Sequence, residues 1–357
     1  MDERGAMERA LELARRGWGR VHPNPMVGAV VLQGERAVGE GWHAEFGERH
    51  AEAAALEAAG DAARGATLVV TLEPCNHQGR QPPCSDAIIS AGVRRVVAAI
   101  RDPNPVAAGG NDRLHAAGVD VSTGLLEAEA ARLNAAFLHS ASGARRPWVA
   151  VKLATSVDGA IADGSGASRW VSGTEARAWV QWLRAGFDAI AVGSTTALRD
   201  DPSLTVRGPL APRIAPLRVV FDRNLQLPPD SALVASARAV PVIVVTAPDQ
   251  QGTSEARELE AAGVSVAFAG STAGALEELH RRGVRSVLVE GGAGLATSLA
   301  KDDLVDRYYW VQSPLFLGSG ALAAWSLPAV SLQASPRWHV VQRAPLGDDT
   351  LLVLDRT

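Results

Sequence analysis

Four side chains in the first quarter of the chain have the types and the order needed to activate a water molecule. His50 and Glu52 form an H-A-E triplet, Cys75 follows Pro74, and Cys84 lies beyond the eight residues NHQGRQPP. Cys75 and Cys84 are the only cysteines among 357 residues. One imidazole and two thiolates make a zinc-binding set, and three protein ligands leave the fourth tetrahedral position open for water. Zinc brings the pKa of such a water down toward ~7, which supplies hydroxide near neutral pH. Glu52, two residues from a ligand, is too far round a helix to bind the same ion but near enough to carry the water's proton. A lone histidine or a buried cysteine is ordinarily packing; four such residues in this order point to a catalytic metal.

H-x-E followed by P-C and a second cysteine is the pattern of zinc deaminases acting on cytosine or adenine, with the glutamate as acid and base. The departure is the gap between the cysteines. Two residues would hold both thiolates at one helix start, whereas eight make a loop able to bring His77 and Arg80 over the pocket. Two rival readings follow. A nucleoside or RNA-base deaminase, with a non-catalytic C-terminal half used for oligomerisation, predicts the short gap and, for RNA, a basic surface with stacking aromatics. A structural zinc domain predicts a fourth protein ligand and has no use for Glu52.

The site needs a scaffold, and the length fits two domains. Hydrophobic residues at 47% and charged residues at 21% provide two cores and exclude a disordered chain. Strand-length valine- and isoleucine-rich runs, MVGAVVL (26–32), ATLVVTL (66–72) and RRVVAAI (94–100), alternate with helix-forming HAEAAALEAAG (50–60) and CSDAIISAG (84–92). This alternation predicts an α/β layer structure. The segment ASGARRP (141–147) reads as a linker, placing domains at 1–146 and 147–357. The second half restarts with WVAVKLATS and continues through FDAIAVGS, LRVVFD, VPVIVVT, VSVAF and RSVLVEGG, with helices at TEARAWVQWLRAG and SEARELEAAG. The N-terminus lacks a basic-then-apolar leader and no window reaches ~18 uninterrupted apolar residues, so a cytoplasmic protein without membrane contact is expected. There a structural disulfide is not expected. A net charge of −4 offers no field for a polyanion, so nucleic acid is not an expected partner.

Lys152 and Lys301 are the only lysines among 35 basic side chains. Where arginine serves as the generic cation, a lysine on the buried-looking strand WVAVKL suits a compact ammonium directed into a pocket. The run VEGGAGLATS (289–298) follows a strand and opens a helix, where backbone N–H groups can approach a phosphate. It is not the G-x-G-x-x-G fingerprint of a Rossmann fold.

TLEPCNHQGRQPPC, with HPNPMVGAVV before it, DPNP after it, and KLATSVDG and LRDDPSLTVR in the second half, resembles the bifunctional deaminase/reductases of riboflavin biosynthesis over nearly the whole chain. The resemblance implies an N-terminal cytidine-deaminase-like three-layer α/β/α domain and a C-terminal dihydrofolate-reductase-like α/β domain. It implies zinc hydrolysis of the 2-amino group of 2,5-diamino-6-(5-phosphoribosylamino)pyrimidin-4-one, then NADPH reduction of the ribosyl chain to ribityl. It further implies phosphorylated pyrimidine ligands and a homodimer or homotetramer formed through the reductase domain. Asn24, His43, His77 and Arg80 then line the deaminase pocket. Lys152 belongs to the reductase site, where Ser168, Arg184, Leu204, Arg207 and Glu290 contact substrate. Ala154, Trp170, Thr196, Asp200 and the run Gly292, Ala293, Gly294, Leu295, Ala296, Thr297 and Ser298 contact NADPH. Arg169, Arg223 and Gln312 depart from the family's usual residues in the reductase half, as Gln81 does in the first domain. The first three are expected to bear on cofactor preference or reductase activity.

Overall fold

The structure, a computed structural model, describes residues 1–356 and divides at Ala144 into two units, Met1–Ala144 and Arg145–Thr357. In the first unit, strands β1 (Gly28–Gln33), β2 (Arg36–Trp42), β3 (Thr67–Val70), β4 (Arg95–Ala98) and β5 (Asp120–Thr123) form one sheet in the order β2-β1-β3-β4-β5. β1 runs antiparallel to β2 and β3, and β3, β4 and β5 are parallel. Side chains alternate across a strand. Ala29 and Val31 therefore pack toward Ala51, Ala55 and Ile88, while Val30 and Leu32 pack toward Met7 and Ala10 on the other face. Burial on both faces explains the uninterrupted apolar runs and gives an α/β/α layering.

The alanine bias also has a structural cause. The helix Ala51–Ala59 lies so close to β2 that a Cβ on Gly39 would come 2.2 Å from the Ala55 carbonyl oxygen, and one on Gly41 would come 2.4 Å from that of Ala51. Only glycine on the strand and alanine on the helix permit that approach. His50 and Glu52 stand at this helix's start, so the two glycines set their height above the sheet.

The second unit adds β6 (Trp148–Thr155), β7 (Ala160–Ala162), β8 (Ala189–Gly193), β9 (Leu217–Phe221), β10 (Val242–Thr246), β11 (Ser265–Phe268), β12 (Ser286–Glu290), β13 (Arg307–Gln312), β14 (Leu322–Ala323), β15 (Trp338–Leu346) and β16 (Asp349–Arg356). Nine of them form a sheet in the order β11-β10-β9-β8-β12-β6-β13-β16-β15, and β7 pairs with β14 separately. From β11 through β13 the neighbours are parallel; β16 and β15 continue antiparallel. The chain builds outward from β8 to β11, then returns to insert β12 between β8 and β6. Such a reversal opens a crevice at the carboxyl ends of the strands, where α/β sheets bind ligands. Helices Ser194–Asp200 and Ala293–Lys301 begin there, directly after β8 and β12.

Candidate functional site

In the first unit the helix Ala51–Ala59 is preceded by His50 as its N-cap, and the helix Cys84–Ser90 opens on Cys84 itself. Cys75 lies in the loop after β3, where its carbonyl accepts the Ser85 N–H. These three elements bring one nitrogen and two sulfurs within 4.8 Å of one another. His50 Nδ1 is 3.3 Å from Cys84 Sγ and 3.5 Å from Cys75 Sγ. A tetrahedral zinc with Zn–N of ~2.0 Å and Zn–S of ~2.3 Å requires N···S separations of about 3.5 Å, so the donor set fits the ion. The Cys84 N–H points at Cys75 Sγ from 3.4 Å. The hydrogen bond from Cys84 and the neighbouring His50 draw the Cys75 thiol well below its usual range, ready to bind as thiolate.

Glu52 is 3% exposed. Burial pushes its carboxyl up to about 7, against the opposing pull of His50. A cation on the three ligands lowers it again. Asn24, His43, His77 and Arg80 all line one cleft with His50, Glu52 and Cys75. Asn24 Nδ2 is 3.3 Å from His43 Nε2, and His43 Nδ1 is 3.1 Å from the Arg49 carbonyl oxygen. Burial holds the His43 imidazole below its usual pKa. The Arg80 guanidinium lies 5.0 Å from the centre of the Phe46 ring.

The sequence reading did not single out Phe46, Phe137, Asp102 and Asn104, which also line this cleft. DPNP (102–105) is the only signal that pointed to two of them. Its turn is fastened from below by buried Glu73, whose carboxylate accepts the N–H groups of Asp102, Gly109 and Asn111. Phe137 comes from a separate helix, Ala135–Ala141, and nothing in its sequence marks it.

In the second unit Lys152 occupies the middle of β6, in register with Glu290 on β12 and Tyr309 on β13. Burial lowers its ammonium pKa, while Glu290 opposes that shift. Arg184, the last residue of the helix Thr174–Arg184, meets Glu290 through a two-pronged pair of 2.6 and 2.7 Å. Its remaining prong donates to the Thr205 carbonyl at 2.8 Å. Each of the three guanidinium nitrogens therefore has one partner within the protein. Arg207, by contrast, is exposed, and its side chain has no hydrogen-bond partner among the described residues; its backbone N–H donates to Gln181 Oε1 at 2.9 Å. Leu204 is 2% exposed and packs among Ile190, Leu233 and Val244, which leaves its backbone as the part available to a ligand.

Gly292 caps the helix Ala293–Lys301 with a positive φ of 79° and stands against Thr196. Residues 293–298 form the first turns of that helix, which the run VEGGAGLATS is expected to open. Thr297 Oγ1 accepts the Ser326 N–H, and Ser298 Oγ shares a hydrogen with Thr272 Oγ1. Neither hydroxyl serves the helix start, where the backbone N–H groups of the first turn have no intrahelical partner. Arg169 donates to the Asp200 carbonyl at 2.6 Å, tying the segment of Ser168 and Trp170 to Asp200. Ala154 lies near the end of β6 beside Val311. Arg223 is exposed just past β9, and Gln312 ends β13 opposite Thr155. Gln81 lines the cleft of the first unit.

The cytidine and deoxycytidylate deaminase zinc-binding region matches residues 1–100, and the RibD C-terminal domain matches residues 147–352. The riboflavin biosynthesis protein RibD of Aquifex aeolicus is 38% identical over 99% of this chain and 98% of its own length. That of Escherichia coli is 39% identical over 99% of each. The solved RibD of Acinetobacter baumannii superposes with a TM-score of 0.84 at 36% identity, covering 99% of both chains. A diaminohydroxyphosphoribosylaminopyrimidine deaminase/5-amino-6-(5-phosphoribosylamino)uracil reductase from Thermotoga maritima does so with a TM-score of 0.85 at 36% identity and the same coverage. No helix among the described residues is long and apolar enough to cross a membrane.

Proposed function

The chain belongs to the RibD family of bifunctional deaminase/reductases of riboflavin biosynthesis, and on that premise we propose how its own residues divide the work. It is a zinc-dependent pyrimidine deaminase and an NADPH-dependent reductase in one chain. The first activity hydrolyses the 2-amino group of 2,5-diamino-6-(5-phosphoribosylamino)pyrimidin-4-one; the second reduces the ribosyl side chain to ribityl. The observation that carries the reading is the His50, Cys75 and Cys84 cluster beside buried Glu52 in a cleft. Bound zinc supplies a polarised water at neutral pH. Glu52 takes a proton from the attacking water and delivers it to the departing amine. Asn24 holds the pyrimidine, while His77 and Arg80, carried by the loop between the cysteines, cover it.

In the reductase half NADPH supplies the hydride. The starts of the two helices at the strand-order reversal hold its diphosphate, with Thr196 and Gly292 in contact there and Ala154, Trp170 and Asp200 placing the rest. Lys152, whose pKa burial lowers, gives up the proton that accompanies reduction of the opened sugar. Ser168 and the Leu204 backbone position that sugar, and Arg207 takes the phosphate. Arg184 and Glu290 form the buried support beneath them.

The test is ammonia release and NADPH consumption followed together in the zinc-loaded protein given the diaminopyrimidine ribosyl phosphate. Ammonia appears first and NADPH is then consumed. A chelator stops the ammonia but not the NADPH oxidation supported by the already deaminated compound, because no ligand of the cluster lies beyond Cys84. Ammonia without any NADPH consumption would sink the reductase assignment. Arg207→Ala raises the reductase KM for that compound about 10- to 100-fold, the loss of a charge-assisted hydrogen bond, with the melting temperature unchanged. An unchanged KM removes Arg207 from the site.

The enzyme works in the cytoplasm on small phosphorylated pyrimidines, as a homodimer or homotetramer assembled through the second unit. The exposed apolar side chains of Phe316, Val330 and Leu332 in that unit support this assembly. A single-chain mass in solution would overturn it.

A further inference from the structure

We propose that His43 does not touch the substrate but fixes which way the Asn24 amide faces, so that Asn24 offers its carbonyl oxygen to a ring N–H of the pyrimidine. The proposal rests on the deaminase reading of the cleft and adds how the cleft recognises its ring.

His43 is 3% exposed and has two partners, one on each ring nitrogen. Nδ1 faces the Arg49 carbonyl oxygen at 3.1 Å. A carbonyl can only accept, so Nδ1 carries a proton. The two partners are an amide nitrogen, which can only donate, at Nε2 and a carbonyl oxygen, which can only accept, at Nδ1, so the pair demands one proton on the ring. The ring is therefore neutral and Nε2 is a bare acceptor. Only the nitrogen end of the Asn24 amide satisfies it, and Nδ2 stands there at 3.3 Å.

One amide proton is thereby taken. Asn24 Oδ1 has no partner among the described residues, and the side chain lines the cleft. A ring N–H next to the carbon that bears the leaving amine matches that oxygen. A ring presenting a bare nitrogen there would set lone pair against lone pair and leave the oxygen unsatisfied. The same imidazole bonds to the residue immediately before His50, and its backbone N–H is held by the Val27 carbonyl at 2.9 Å. One ring thus sets the distance between the recognition group and the metal ligand.

Nitrogen–proton two-bond NMR on the 15N-labelled, zinc-loaded full chain reads the tautomer directly, with the His43 signals assigned by their loss in His43→Gln. A neutral ring protonated on Nδ1 is expected; protonation on Nε2, or on both nitrogens, overturns the proposal. In kinetics, His43→Ala raises the deaminase KM about tenfold, the value of one oriented hydrogen bond, with kcat within about twofold and zinc content unchanged. His43→Gln, whose Oε1 replaces the Nε2 acceptor, recovers most of that loss. A large fall in kcat with constant KM in both variants makes His43 catalytic and overturns the proposal. Failure of the unaltered enzyme to release any ammonia would instead strike the deaminase reading, and the tautomer measurement keeps the two failures apart.

Discussion

Glu52→Gln lowers ammonia release by about 10²- to 10⁴-fold, the contribution of a positioned acid and base, while zinc content and NADPH-dependent reduction of the deaminated compound stay near those of the unaltered enzyme. Glutamine keeps the volume and the hydrogen-bonding length of the side chain, so the helix Ala51–Ala59 keeps its seat on Gly39 and Gly41. What it loses is the ability to take and return a proton. A purely structural metal site makes no use of this carboxylate, and full ammonia release by the variant would place the metal in that role. Stability provides a second, opposite readout. Burial raises the folded-state pKa of Glu52 above its unfolded value, so in the metal-free protein the ionised carboxylate destabilises the fold as pH rises through the unfolded pKa. Metal-free Glu52→Gln accordingly melts at a higher temperature than the unaltered metal-free protein near neutral pH. A variant that loses activity and gains metal-free stability is one whose buried charge was kept for chemistry.

The deaminase cleft was the more legible of the two sites because its chemistry is concentrated in short stretches. His50 and Glu52 are set by one helix start, and Cys75 and Cys84 flank one loop, so local spacing already encodes most of their geometry. Phe137 was illegible for the opposite reason: it reaches the cleft from a helix more than fifty residues away, and an aromatic residue on a short helix looks the same whether it faces core or ligand. Among strands, the buried parallel runs of β6 and of β8 through β12 stood out as short apolar stretches rich in valine. β15 and β16 did not, because β15 lies at the sheet edge with most of its residues exposed, and a half-wet strand carries charges and polar residues that read as loop. β2 was hidden by Gly39 and Gly41, residues that weaken a strand signal and are there to admit a helix. In the reductase half, residue type says only part of what Arg184 does: the sequence marks a cation, and only the folded chain shows that its guanidinium bonds Glu290 and the Thr205 carbonyl.

That engagement leads to the second large effect. Arg184→Met or Glu290→Gln, each alone, destabilises the second unit by about 3–5 kcal/mol and removes most of the reductase activity, whereas the pair replaced together by apolar side chains loses much less stability. The ion pair is 10% and 12% exposed at its two side chains, with both oxygens of Glu290 bonded to the guanidinium. Removing either partner leaves the other charge buried and unpaired. The consequences spread because Arg184 also holds the Thr205 carbonyl, two residues from Arg207, and because Glu290 moderates the depressed pKa of Lys152. Loss of Glu290 lowers the Lys152 pKa further, so a reductase step that needs the ammonium fails at a lower pH in Glu290→Gln than in the unaltered enzyme. The double replacement restores packing but not that electrostatic support, and so recovers stability without activity. If Arg184→Met instead raised KM alone, at full stability and with an unmoved pH profile, the guanidinium would be a direct phosphate ligand. The contrast with Arg207→Ala, which changes KM and leaves stability untouched, separates the arginine that holds the substrate from the one that holds the site.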